Sequence, residues 1–168
     1  MSNSNNTFID LLNVPVIEHD LYALILKNMP MASKQIIAGY TPTKEEIDVR
    51  HLLYILSTNH TIALPEVKGR NLIFKEWDFK EEEPRKSAKK VIPNIILVPC
   101  MGIGKNGYRW GHGCKFYDRT IQSLKKKDTP IITIGVAYEH QLSNEYQADK
   151  DSNRLDWILT PSQMTKCR

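Results

Sequence analysis

The spacing of apolar residues changes several times along the chain, and each change marks an element. In residues 16–28, VIEHDLYALILKN, apolar side chains fall at 17, 21, 24, 25 and 26, the spacing of one helix face. Residues 35–40, QIIAGY, form an apolar run of strand length, closed by Thr41 and Pro42. Thr43 and Glu46 stand three apart in the Ser/Thr-x-x-Glu pattern of a capping box. A helix is therefore predicted from there to about Ser57, burying Ile47, Leu52, Leu53, Ile55 and Leu56. Strands are predicted over 61–64 and 72–77, and the mixed-charge stretch 80–90 reads as a solvated linker. Residues 1–15 begin polar and turn briefly apolar, which predicts a loose start with a short helix.

The second half is more regular. Residues 94–98, NIILV, and 130–137, PIITIGVA, are continuous apolar runs rich in β-branched side chains, and a shorter run follows at 155–159. A helix is predicted between the first two, over about 115–127. Strands alternating with helices predict an α/β fold with a mostly parallel sheet. Continuous rather than alternating apolar runs predict helices on both faces of that sheet.

A chain of 168 residues suits one domain spanning 1–168. The net charge of +4 comes from basic residues interleaved with acids, which suits an anionic small molecule and argues against a nucleic-acid partner. Cys100, Cys114 and Cys167 are far apart and odd in number, so neither a disulfide framework nor a CxxC metal pattern is present. No apolar stretch approaches a membrane span and the first residues lack a signal-peptide pattern, so no membrane association and a cytoplasmic location are expected.

The chemistry concentrates in residues 101–119, MGIGKNGYRWGHGCKFYDR, which hold five of the eight glycines. This stretch leaves a predicted strand and enters a predicted helix. Glycines let backbone N–H groups approach a ligand, and a helix start offers unpaired N–H groups and the positive end of its dipole. Together they form an anion site of the kind nucleotides use. The spacing is neither GxxxxGK[ST] nor GxGxxG. Arg109 can clamp phosphate oxygens with its fork, Lys115 can act as a point charge, and Asp118 can hold Mg²⁺ together with phosphate oxygens.

Within that stretch, GYRWGHGCKFYDR resembles the GYRLGxGGGYYDR signature of the 5-formyltetrahydrofolate cyclo-ligases. AGYTPTKEEID at 38–48, ALPEVKGRNLIFKEW at 63–77, ITIGVAYEHQL at 132–142 and LDWILTP at 155–161 resemble further segments of that family, in its order. The resemblance covers about 36–161 and implies a Rossmann-type three-layer fold. It also implies an ATP- and Mg²⁺-dependent reaction in which the formyl oxygen is phosphorylated, the neighbouring folate nitrogen attacks, and phosphate leaves. By position, Arg109 and Tyr117 would be catalytic. Gly107, Gly111, His112, Gly113, Cys114, Lys115 and Phe116 would line the nucleotide with them. Glu46, Trp77 and Tyr138 would hold the folate, and Asp118 and Asp156 the metal. A monomer working on folate and ATP is expected. Two glycine positions of the signature carry Cys114 and Lys115, and the first basic residue is Lys27, where the family opens with a basic helix. The alternative is a relative that binds folate or another anion without turnover.

Overall fold

The computed structural model describes residues 17–111, 114–147 and 152–167. The loose start and short helix expected over 1–15 lie outside them. In chain order the elements are α1 (Ile17–Asn28), β1 (Ile36–Ala38), α2 (Arg50–Leu56), β2 (Thr61–Lys68), β3 (Asn71–Glu76), β4 (Lys90–Val91), β5 (Ile95–Pro99), β6 (Gly102–Gly104) and β7 (Arg109–Trp110). There follow α3 (Cys114–Lys126), β8 (Ile132–Val136), a short 3₁₀ turn (Glu139–Gln141), β9 (Leu142–Ser143), β10 (Trp157–Leu159) and β11 (Met164–Lys166).

Eight strands form one sheet in the order β11-β10-β8-β5-β1-β2-β3-β4. The five central strands, from β10 to β2, run parallel, and both edges turn antiparallel. The chain winds outward from β1 in both directions, so the strand order reverses between β1 and β5. In open α/β sheets the ligand crevice lies outside the carboxyl ends of the strands at such a reversal.

Strand alternation splits the core in two. Ile37, Ile62, Leu64, Ile95 and Leu97 pack under α1 and α2 with Leu21, Ile25, Leu52 and Leu53. Their neighbours Ala38, Ala63, Ile96 and Val98 pack under α3 with Tyr117, Ile121 and Leu124. Burial on both faces is why the sequence of β5 shows no alternation.

Three local expectations change. The pattern at Thr43 and Glu46 forms a turn, in which the Thr43 N–H donates to Glu46 Oε1 at 2.8 Å, but no helix starts there. Ile47 and Val49 are drawn into the core instead, and α2 begins at Arg50, whose N–H donates to Asp48 Oδ1. Ile55 is only half-buried. β2 runs past Leu64 to Lys68 and folds back on β3 through Gly69 at φ +64°. Pro65 is tolerated in it because β1 ends opposite Ala63, leaving β2 a single neighbour there. The glycine-rich stretch is a hairpin rather than an open loop: β6 pairs with β7 and with β9, a second small sheet over the crevice.

Candidate active site

Five buried side chains meet at the carboxyl ends of β1 and β5. Tyr40 and Glu46 follow β1; Cys100 follows β5; Arg109 lies on β7 and Tyr117 on the first turns of α3. Arg109 is only 4% exposed and Glu46 7%. Arg109 Nη1 donates to the Pro99 carbonyl at 3.1 Å, and its guanidinium lies 5.2 Å from the Tyr117 ring centroid. The Tyr40 hydroxyl donates to the Ile47 carbonyl at 2.8 Å, which fixes the segment carrying Glu46. Two-residue alternation in β7 turns Arg109 inward and leaves Trp110 44% exposed.

Burial governs the ionisation of this cluster. It pushes the Cys100 thiol up to about 12, with the Arg109 charge acting against it and Glu46 reinforcing it. It raises the Tyr117 and Tyr40 hydroxyls as well, Glu46 adding to both shifts and Arg109 opposing that of Tyr117. Glu46 and Arg109 thus act on the same buried groups from one crevice. The ordinary values are 9.0 for the thiol and 10.0 for the phenols. Folded pKa values above these mean that stability is fully present below about pH 9 and is lost as pH rises toward the folded values. The urea midpoint is expected to fall between pH 8 and pH 10.5; an unchanged midpoint would contradict this account.

Chain neighbours of Glu46, Cys100 and Arg109 line a cleft of about 600 Å³, with Lys44, Met101, Trp110, Tyr138 and His140 in its wall. Tyr138 leaves β8, and its ring stacks on His140 with centroids 5.5 Å apart. Gln141 joins the two lips: its Oε1 accepts from the Tyr138 N–H at 2.9 Å and its Nε2 donates to the Glu45 carbonyl at 3.0 Å. Trp110, His140 and Gln141 are absent from the sequence reading. Trp110 was findable as the outward neighbour of Arg109, whereas Gln141 meets a partner 96 residues away and leaves no local signal.

The remaining expected residues divide. Gly111 stays beside Arg109: a Cβ there would lie 3.8 Å from Arg109 Nη1. His112, Gly113 and the Cys114 side chain lie outside what the structure describes. Lys115 is exposed and Phe116 half-buried under the Arg119 guanidinium at 5.1 Å. Asp118 is buried, and its Oδ1 accepts from the Asn153 N–H at 3.2 Å.

Three residues are placed elsewhere or otherwise engaged. Gly107 turns the β6–β7 hairpin at φ +90°; its N–H donates to the Gly104 carbonyl at 2.8 Å and its carbonyl accepts from Leu155 at 2.9 Å. The N–H is therefore not left for a phosphate. Trp77 lies toward the other end of the strands from Glu46, because its N–H donates to the Ile62 carbonyl near the amino end of β2. Its indole donates to the Glu81 carbonyl at 2.8 Å and its ring tilts against Phe79, so it is a core aromatic. Asp156 Oδ2 accepts from the Thr133 N–H and hydroxyl at 2.9 and 3.0 Å, tying β10 to β8. Thr133 pairs with Ile96, four residues before Cys100, or about 13 Å along a strand. Among the described residues no group of three or more His, Cys, Asp or Glu side chains gathers.

Strand order defines a doubly wound α/β protein with a candidate ligand crevice at the β1/β5 reversal. The solved 5,10-methenyltetrahydrofolate synthetase of Aquifex aeolicus has this fold, with a TM-score of 0.71, 23% identity, and 98% of this chain and 91% of that one covered. The 5-formyltetrahydrofolate cyclo-ligase of Mycoplasma pneumoniae is 30% identical over 126 residues, 73% of this chain and 71% of the relative. That of Escherichia coli K12 is 28% identical over 152 residues, 80% of this chain and 82% of the relative. The model of the 5-formyltetrahydrofolate cyclo-ligase family matches residues 18–161, and the chain belongs to that family.

Proposed function

We propose that this protein converts 5-formyltetrahydrofolate to 5,10-methenyltetrahydrofolate at the expense of ATP, acting as a cytoplasmic monomer. Family membership and the names of the relatives supply the reaction class. The observation that carries the reading is the burial of a carboxylate, Glu46, and a guanidinium, Arg109, that both act on Cys100 and Tyr117. A carboxylate at this depth accepts from the N–H groups of a heterocycle such as a pterin. A guanidinium fork recognises phosphoryl oxygens and stabilises charge that develops on them. Glu46 holds Oε1 on the Thr43 N–H, which orients the carboxylate before substrate arrives.

The folate would lie in the cleft against Tyr138 and Trp110, while the nucleotide would meet Arg109, Tyr117 and the stretch from Gly111 to Phe116. Mg²⁺ takes one or two carboxylates and leaves its other positions to phosphate and water. The Asp118 carboxylate, buried on α3 with Oδ1 accepting from the Asn153 N–H, fits that donor set and would neutralise phosphate charge; Asp156, bonded to Thr133 far down the strands from the crevice, does not.

The test is the growth of 5,10-methenyltetrahydrofolate absorbance on mixing protein, 5-formyltetrahydrofolate, Mg²⁺ and ATP. Glu46→Gln removes a charge-assisted hydrogen bond of about 1.5–3 kcal/mol, so KM for the folate is expected to rise about 10- to 100-fold with the fold intact. Absence of ATP-dependent product from folded protein would leave a relative that binds folate or an anion without turnover.

A further inference from the structure

On the outer side of α3, away from the crevice, lies an open cleft of about 520 Å³. Arg119, Lys126 and Lys127 on or just past α3 face Arg70 on the β2–β3 turn across it, with Asn71, Gln122 and Ser123 between them. Its lining holds four cations, no acid and no aromatic ring. None of the four belongs to an ion pair among the described residues. The chain carries 23 basic and 19 acidic residues, so removing these four leaves 19 against 19. The whole formal excess of positive charge therefore matches what one cleft concentrates.

Contacts tie the two walls together. Arg119 Nε donates to the Arg70 carbonyl at 2.6 Å, and its guanidinium lies over the Phe116 ring. Thr120 Oγ1 accepts from the Leu72 N–H at 2.8 Å and pins the hairpin to α3. Lysines in a last helical turn complement the helix dipole. That does not account for Arg119 in the second turn or for Arg70 on another element. Guanidinium forks with interspersed lysines fit phosphate oxygens. The lack of an aromatic ring leaves no platform for a stacked base.

We propose that this cleft binds a run of phosphate groups, either a short oligophosphate or the backbone of a single-stranded nucleic acid, without reading bases. The cleft is not visible in the sequence, because Arg70 meets Arg119, 49 positions on, only in the fold.

The test is calorimetric titration of the full chain at low salt with tripolyphosphate, with a twelve-nucleotide oligo(dT), and with hexaglutamate as a carboxylate polyanion. The two phosphate probes are compared between the wild type and the double variant Arg70→Glu/Lys126→Glu, both checked for native circular dichroism. A second variant, Lys126→Glu/Lys127→Glu, changes only exposed side chains and serves if the first is misfolded. Binding of at least one phosphate probe, weakened tenfold or more by charge reversal and steeply by salt, is expected. Tripolyphosphate alone would identify a small oligophosphate; the oligonucleotide alone would identify a nucleic-acid backbone. No binding of either, binding unchanged by charge reversal, or equal affinity for hexaglutamate would overturn the proposal.

Discussion

Replacing Arg109 by Met is expected to lower kcat/KM by about 10²- to 10³-fold, the usual effect of removing one charge-stabilising donor from a water-excluded site. The prediction rests on burial. At 4% exposure the guanidinium is shielded from water, so its charge acts on neighbouring groups more strongly than it would at the surface. Its charge acts against the upward push that burial gives both Cys100 and Tyr117. Met keeps most of the linear apolar stem against Tyr117 while discarding the charge. Removing one buried ion leaves the opposite buried charge uncompensated and the Pro99 carbonyl without its donor, so the melting temperature is expected to fall and the variant is assayed well below it. Arg109→Lys separates fork from charge: it retains the cation but loses the planar pair of donors, and its activity is expected between wild type and Met. A Met variant with full activity would remove Arg109 from the reaction. A Lys variant as impaired as Met would assign the effect to the fork geometry.

The legible parts of this fold were those in which one segment carries its own signal. Residues 94–98 and 130–137 predicted β5 and β8 because they are short, apolar and β-branched. The helix predicted over 115–127 is α3 to within a residue. The capping pattern at Thr43 misled because its hydrogen bond forms equally well in an isolated turn, and tertiary burial of Ile47 and Val49 decided where α2 begins. The glycine-rich stretch hid a hairpin because Gly102 and Gly104 carry no strand signal; the pairing comes from β7 and from β9, about 40 residues on. Of the candidate residues expected from the sequence, Glu46, Arg109, Tyr117 and Tyr138 lie toward one end of the sheet. Trp77 was not separable from them by sequence, since an aromatic at the end of a strand looks the same whether it walls a pocket or fills a core. Only the antiparallel turn of β3, which carries Trp77 back to the amino end of β2, distinguishes the two.

Gly107→Ala is expected to destabilise the protein by about 2–5 kcal/mol. A left-handed φ costs a residue with a Cβ about 1–2 kcal/mol, and Gly107 holds φ +90°. Crowding adds to this. The new Cβ would lie 2.8 Å from the Leu155 carbonyl oxygen, 2.9 Å from Arg154 Cγ and 3.0 Å from Cys167 Cβ. Overpacking of this kind costs about 1–3 kcal/mol. For a chain of this size the sum corresponds to a fall in Tm of roughly 10 °C. Gly69→Ala is the control: Gly69 also has a left-handed φ, +64°, but a Cβ there has nothing within 4 Å, so only the backbone term of about 1 kcal/mol applies. The difference between the two variants isolates the packing of the hairpin tip on Leu155. Equal losses would show that the tip has room to shift. The same pair also tests what Gly107 does for the nucleotide. Its N–H and carbonyl are committed to Gly104 and Leu155, so Gly107→Ala assayed well below its Tm is expected to keep the wild-type KM for ATP. A KM raised tenfold in a folded variant would mean that the hairpin opens to let this backbone reach the phosphates.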